Sequence, residues 1–283
     1  MNKSLSLSMP RIGDHAVCVR IWDWSESSQT AVLLTKDHGM IRVLAKGSKR
    51  ERSAFSGGLE LCTHGQMGAI VKPNSELALL THWDLVSPML GIRRSLVAYN
   101  AAMLGVDLIP RLIQDHDPHQ GVFGALMQLL EHCDCPTEST DDSGSRIMGV
   151  LAWYLWTVLV EVGAMPVVDC NVLTGEALKP AKVYGFSAQL GGITDDPITA
   201  AGSNQGSGAF RSKSSDIQEL PNGVWRIRAQ TVELMRSLGQ SPDIEAFQGQ
   251  SPDQNTRLAR LLGAYIRERT GTEIPAMRWL IDP

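Results

Sequence analysis

TAVLLTKDHGMIRVLAKGSKRERSAFSGGLE, residues 30–60, is the stretch on which the fold turns. Two strand-like runs, Thr30–Thr35 and Met40–Ala45, flank Lys36–Gly39, where Asp-His-Gly marks a hairpin turn with glycine at its tip. The second run leaves into a loop that opens at Gly47, carries Lys46, Lys49, Arg50 and Arg52, and ends at Gly57-Gly58. Counting Arg42 on the feeding strand, residues 42–52 hold five basic side chains against one acid, Glu51. Cations on such a loop suit a phosphate backbone, because each phosphate they neutralise releases condensed counterions. The plain alternative is a solvated loop that serves solubility.

Around this hairpin the chain reads as further short strands. Residues 14–24 (DHAVCVRIWDW) alternate apolar and polar side chains before the pattern blurs at Val19–Trp22. Strands are expected again at Leu59–Thr63, Gly68–Val71 and Glu76–Trp83, with Pro73-Asn74 as a turn. Five or six short strands in residues 1–87 point to a small closed barrel without exposed edges. A five-stranded oligonucleotide-binding (OB) barrel is the natural candidate, and an SH3-like barrel fits the pattern nearly as well.

From residue 88 the apolar period changes to three and four. Helices are expected over residues 92–113, kinked or stopped at Pro110, and from an Asp117-Pro118 start through Cys133. Cys135–Gly144, acidic and hydroxyl-rich, reads as a mobile loop, and Ser145–Gly163 as a long helix. Ile147–Val162 is apolar on nearly every side and should be the central helix, packed by Leu104, Leu108, Leu126, Leu130, Leu234, Leu258 and Leu262. Residues 169–193 read as irregular, 194–222 as a poorly ordered insertion, and Val224–Leu238 and Asp253–Thr270 as helices. The expected class is α+β: a barrel over residues 1–87, then an all-α helical region over 88–283.

The charge is unevenly spread. The whole chain carries −4, but residues 1–87 hold 10 Lys/Arg against 8 Asp/Glu, and residues 88–283 hold 16 against 22. Contact with nucleic acid should therefore begin in the barrel, at Arg42, Lys46, Lys49, Arg50 and Arg52. Trp22 and Phe55 are candidate platforms for bases, since barrels of this type combine cations with aromatic stacking. Trp22 could instead face the core, and Phe55 could anchor the loop to the barrel.

Other chemistries find little support. The five cysteines lack the spacing of a disulfide framework, and His132-Cys133-Asp134-Cys135 has no second ligand pair for zinc. No phosphate-loop motif, Gly-x-Ser-x-Gly elbow or His-Glu-x-x-His occurs, so neither an enzyme nor a cofactor is expected. The N-terminal MNKSLSLSMPR has no apolar core of signal-peptide length, and no run is long enough for a membrane span, which points to the cytoplasm.

The chain resembles the RecO family of bacterial recombination mediators. The resemblance rests on Leu34-Thr35, His38-Gly39, Ala45-Lys46-Gly47, the basic run Lys49–Arg52, and Phe55, Gly57, Leu59 and Glu60. Glu76–Leu80 with Leu85 and Val86, the Arg93-Arg94 helix opening and the terminal Arg278-Trp279-Leu280 extend it. Many relatives carry four cysteines that bind a structural zinc. Here only Cys170 stands in place, with Leu173 and Thr194-Asp195-Asp196 where partners would be, so residues 166–196 should form a zinc-less finger-like segment folded by packing alone. The resemblance implies binding of single- and double-stranded DNA and annealing of complementary strands. It also implies association with RecR, contact with the C-terminal tail of single-stranded-DNA-binding protein (SSB), and, through these, help in loading RecA, all at the nucleoid. Arg93, Arg94, Arg111 and Arg146 beside apolar helices are candidates for gripping the acidic SSB tail. Two other readings stand beside this one: a barrel-and-helix adaptor that binds proteins but not DNA, and an OB protein that prefers RNA.

Overall fold

The computed structural model describes residues 11–55, 59–71, 75–135, 140–197, 218–219, 223–240, 244 and 250–281. Its N-terminal strands are β1 (Arg11–Ser25), β2 (Ser28–Thr35), β3 (Gly39–Ala45), β4 (His64–Ile70) and β5 (Ala78–Ser87). They close in the order β1-β2-β3-β5-β4, with β4 returning to β1. Every pairing is antiparallel except β3 with β5, where Val43 faces Ala78 in a parallel register. This order with its single parallel closure is that of an OB barrel, which decides between the two barrels the pattern allowed.

Alternate side chains fill the interior, among them Ala16 and Cys18 of β1, Ala31 and Leu33 of β2, Ile41 and Val43 of β3, Met67 of β4, and Leu80 and Trp83 of β5. The outward Val17, Val19, Val32 and Leu34 are buried too. A strand covered on both faces loses its two-residue alternation, which explains why the pattern blurs in β1 and vanishes in β2. At the hairpin tip Gly39 has φ +70°, and a Cβ there would lie 2.5 Å from the Asp117 backbone. Both the turn and the packing therefore require glycine.

The segment Leu59–Thr63 is not a strand. Cys62 takes φ 63°, and the backbone exchanges bonds with β1 only at Cys62 N–H to Cys18 carbonyl (2.9 Å) and Cys18 N–H to Thr63 carbonyl (3.0 Å). Its apolar residues Leu59 and Cys62 are buried by folding inward rather than by joining the sheet.

A 3-10 turn, Leu90–Arg94, leads into α1 (Leu96–Leu112), whose last turn contains Pro110, and α2 (Gln120–Asp134). α2 begins after Asp117-Pro118, with His119 at its N-cap; the Asp117 carboxylate accepts from His119, and the Asp117 backbone packs on Gly39. Ion pairs fasten these helices to the barrel: Arg20 to Asp107 at 2.8 Å and Arg42 to Asp115 at 2.7 Å. The compact units divide at Pro136: Met1–Pro136 holds the barrel with α1 and α2, and Thr137–Pro283 the rest. Leu104, Leu108, Leu126 and Leu130 thus belong to the first unit.

In the second unit α3 (Thr140–Glu161) starts inside the stretch read as a loop and packs along α5 (Pro252–Thr270). Its run from Ile147 to Leu159 is almost wholly buried, as a centrally placed helix should be. The unit is not all-α. β6 (Val183–Ser187), β7 (Gly192–Thr194), β8 (Gln218–Glu219) and β9 (Val224–Arg228) form an antiparallel sheet in the order β7-β6-β9-β8. Val224-Trp-Arg-Ile-Arg alternates with period two, and reading it into the helix that follows merged β9 with α4 (Ala229–Gln240). Phe186 joins sheet to helix, stacked on Trp225 (5.8 Å between centroids) and edge-on to Tyr265 of α5 (5.4 Å). A short helix, α6 (Arg278–Ile281), closes the unit. Most of the expected insertion at 194–222 lies outside the described residues.

The finger-like segment is held by polar links as well as packing. Asn171 donates from Nδ2 to Asp195 (3.0 Å) and accepts from Leu173 N–H, while Arg226 forks onto Asp196 at 3.1 and 2.9 Å. Thr194, Asp195 and Asp196 thus tie the segment together by hydrogen bonds. Among the described residues no group of three or more His, Cys, Asp or Glu side chains could hold a metal ion.

Candidate nucleic-acid interface

The basic loop is fixed to the barrel by one buried side chain. Gln29 of β2 is 8% exposed. Its Oε1 accepts from Ser48 Oγ (2.9 Å) and from Leu59 N–H (3.3 Å), and its Nε2 donates to the Leu59 carbonyl (3.4 Å). Ser28 Oγ accepts from Gly47 N–H, and Lys49 N–H donates to the Ser27 carbonyl. Both ends of the loop are therefore latched to the start of β2. Gly47 at φ +74° makes the turn that drives Ser48 into the interior while Lys46, Lys49 and Arg50 stay outside.

Phe55 completes the anchor. It is 5% exposed within the barrel core, and the neighbouring Ala54 carbonyl accepts from Trp83 N–H at 3.0 Å. Of its two readings the anchoring one holds; the ring has no free face for a base. Trp22 takes the opposite course and is 49% exposed at the end of β1, beyond the interior run of that strand.

The five candidate cations fall into two groups. Arg42 is bound to Asp115 at 2.7 Å and Lys49 to Asp23 at 2.5 Å. Lys46, Arg50 and Arg52 are exposed and have no acidic partner among the described residues. Neither Asp23 nor Gln29 was singled out from the sequence, since partners so far apart along the chain leave no local pattern.

The arginines expected at an SSB tail do not form one cluster. Arg93 pairs with Glu60 (2.5 Å), and Arg94 is exposed beside it. Arg111 shares Asp107 with Arg20, a link between helix and barrel. Arg146 lies half-buried on α3, in the other unit.

One further feature adjoins the loop. A cleft of about 570 Å³ opens between the end of β1, the turn at 59–62 and the start of α1, with Trp22, Asp23, Gln29, Glu60, Arg93 and Tyr99 among its walls. The two cysteines near this turn are chemically quiet: burial pushes the Cys62 thiol up to about 12 and Cys18 higher still.

The first unit is thus a five-stranded barrel of OB topology with a basic loop latched to the start of β2. Comparison with known proteins narrows this. The chain matches the family profile "Recombination protein O N terminal" over residues 9–89 and "Recombination protein O C terminal" over residues 93–278. It is 27% identical to the DNA repair protein RecO of Anaeromyxobacter sp. over 263 residues, covering 93% of this chain and 92% of that one. The corresponding protein of Chlorobium phaeobacteroides is 23% identical over 86% of each chain, and that of Rhodopirellula baltica 35% identical over 42% of this chain and 44% of its own. The chain belongs to the RecO family, whose members are non-catalytic recombination mediators. The two profiles meet between residues 89 and 93, whereas packing groups α1 and α2 with the barrel. Among the described residues no helix is long and apolar enough to cross a membrane.

Proposed function

We propose that this protein binds single- and double-stranded DNA through the loop at residues 46–52, anneals complementary strands and, together with RecR, helps load RecA onto strands coated by SSB in the cytoplasm. The observation that carries the reading is the latched loop: Lys46, Arg50 and Arg52 without acidic partners among the described residues, on a segment whose backbone is fixed by Gln29, Ser28 and Phe55. Annealing needs two phosphate backbones to approach, and cations fixed in place lower that repulsion without reading sequence. Fixing them beforehand also reduces the ordering entropy that binding must overcome. For contact with the SSB tail the exposed Arg94 of the first unit is the better candidate, since Arg93 is engaged by Glu60 and Arg111 by Asp107.

The test is annealing of two complementary oligonucleotides, bare and SSB-coated, followed by quenching of a paired dye. The protein should accelerate annealing several-fold at low salt and lose the effect as salt rises. A folded sample that binds neither strand at low salt would favour the protein-binding adaptor.

A further inference from the structure

We propose that the cleft beside the basic loop receives an unpaired base of the bound strand, an inference that rests on the DNA-binding reading above. Its floor is apolar, with Leu59, Met89 and Ile92 buried beneath it and Met103 of α1 at its side. Its mouth carries two aromatic side chains from different elements, Trp22 of β1 (49% exposed) and Tyr99 of α1 (43% exposed). Together with the apolar floor the two rings make a contiguous apolar surface rimmed by polar groups, the kind that marks ligand-binding grooves. The volume, about 570 Å³, falls within the range of small-molecule sites and takes a base with its sugar.

Charge identifies the occupant. The rim bears Asp23 and Glu60 together with Arg93. Both carboxylates are ion-paired, Asp23 to Lys49 and Glu60 to Arg93, each at 2.5 Å, so the rim offers no surplus positive charge to draw a phosphate or an acidic peptide into the cleft. The lone pairs these bridges leave over can accept from the amino and ring N–H groups of a base, and the N–H groups of Arg93 not used by Glu60 can donate to base carbonyls. The phosphates stay outside, and the geometry joins them to the cleft directly: Asp23 on the rim pairs with Lys49 of the loop at 2.5 Å, and Gln29 in the wall holds Ser48. A strand tracking the cations thus passes the mouth of the cleft. A paired base is unable to enter, so the cleft separates single strands from duplexes, which the phosphate contacts alone do not. Arg93 then serves bases as well as Glu60.

The experiment compares three ligands of similar charge at one salt concentration: a labelled single strand, a strand of the same length built from abasic sites, and a duplex. The full chain should bind the normal strand about tenfold more tightly than the abasic one, the scale of one stacked base. Trp22→Ala and the cleft-filling Met103→Trp should each remove that gap while leaving abasic and duplex affinities unchanged. Photocrosslinking of 5-iodouracil strands to the unaltered protein, mapped by peptide mass, should mark Trp22 or Tyr99 and does not depend on either variant folding. A gap that persists in both folded variants, or crosslinks that fall only outside the cleft, would overturn the proposal. So would variants that keep all DNA affinities but lose an acidic, aromatic-ended peptide, because the cleft is then a peptide site. Absence of binding to all three ligands would instead strike at the DNA-binding reading itself.

Discussion

Replacing Gln29 by Leu tests whether the basic loop is held as described. The side chain is 8% exposed and serves three groups: the Ser48 hydroxyl, the Leu59 N–H and the Leu59 carbonyl. Ser48 is wholly buried and Leu59 is 2% exposed, so water does not replace the lost partner. A leucine fills a similar volume and adds no cavity of note, which isolates the polar effect. A buried donor or acceptor left unpaired costs about 1–3 kcal/mol. The Nε2 link at 3.4 Å is long and contributes least, so the two bonds to Oε1 set the expected loss at about 2–4 kcal/mol. Urea unfolding of the first unit's transition measures it. Adding Ser48→Ala removes one orphaned group, and the double variant should recover roughly 1 kcal/mol relative to the sum of the single changes. A loss below about 1 kcal/mol with fully additive variants would refute the latch.

Three other outcomes follow from the same structure. Phe55→Ala should cost about 3–5 kcal/mol by leaving a hole in the barrel core, and hydrogen exchange at Trp83 N–H, bonded to Ala54, should quicken more than exchange in β2. Gly39→Ala meets both a positive φ and the Asp117 backbone, so a clear drop in thermal midpoint is expected; an unchanged midpoint would show that the turn and α2's approach can relax. Burial, and then the neighbouring His15, lower the His64 pKa, so the folded state resists the proton that the unfolded chain accepts. Stability should be full above about pH 6.5 and decline as pH falls below it, and His64→Gln should flatten that decline in denaturant midpoints taken at pH 8 and pH 5.5.

What could be read in advance followed the physics of short range. The hairpin at Lys36–Gly39, the five cations and the class of barrel all show in local pattern, because turn chemistry and charge density are properties of adjacent residues. Val32 and Leu34 on the outer face of β2 are buried as well as its inner face, which erased the alternation that would have fixed the strand's faces. β6 and β7 escaped notice because strands of five and three residues leave too few periods to register. The site followed the same division. Its cations were legible, but their division into paired and unpaired ones depends on Asp23 and Asp115, and the fate of Phe55 depends on the barrel interior it fills. Arg93 and Arg111 drew attention as arginines beside apolar helices, yet only tertiary contact shows that each is already matched, to Glu60 and to Asp107.

The most direct measurement is the slope of log affinity against log salt for a labelled single strand, with the unaltered chain and with Lys46→Gln, Arg50→Gln and Arg52→Gln combined. Each lost phosphate contact on a single strand should lower the magnitude of the slope by about 0.7, so removing the three unpaired cations should reduce it by roughly 2. The same treatment of Arg42 and Lys49, engaged by Asp115 and Asp23, should change it much less. An unaltered slope in the folded triple variant would contradict the assignment of this loop as the place where the protein meets DNA.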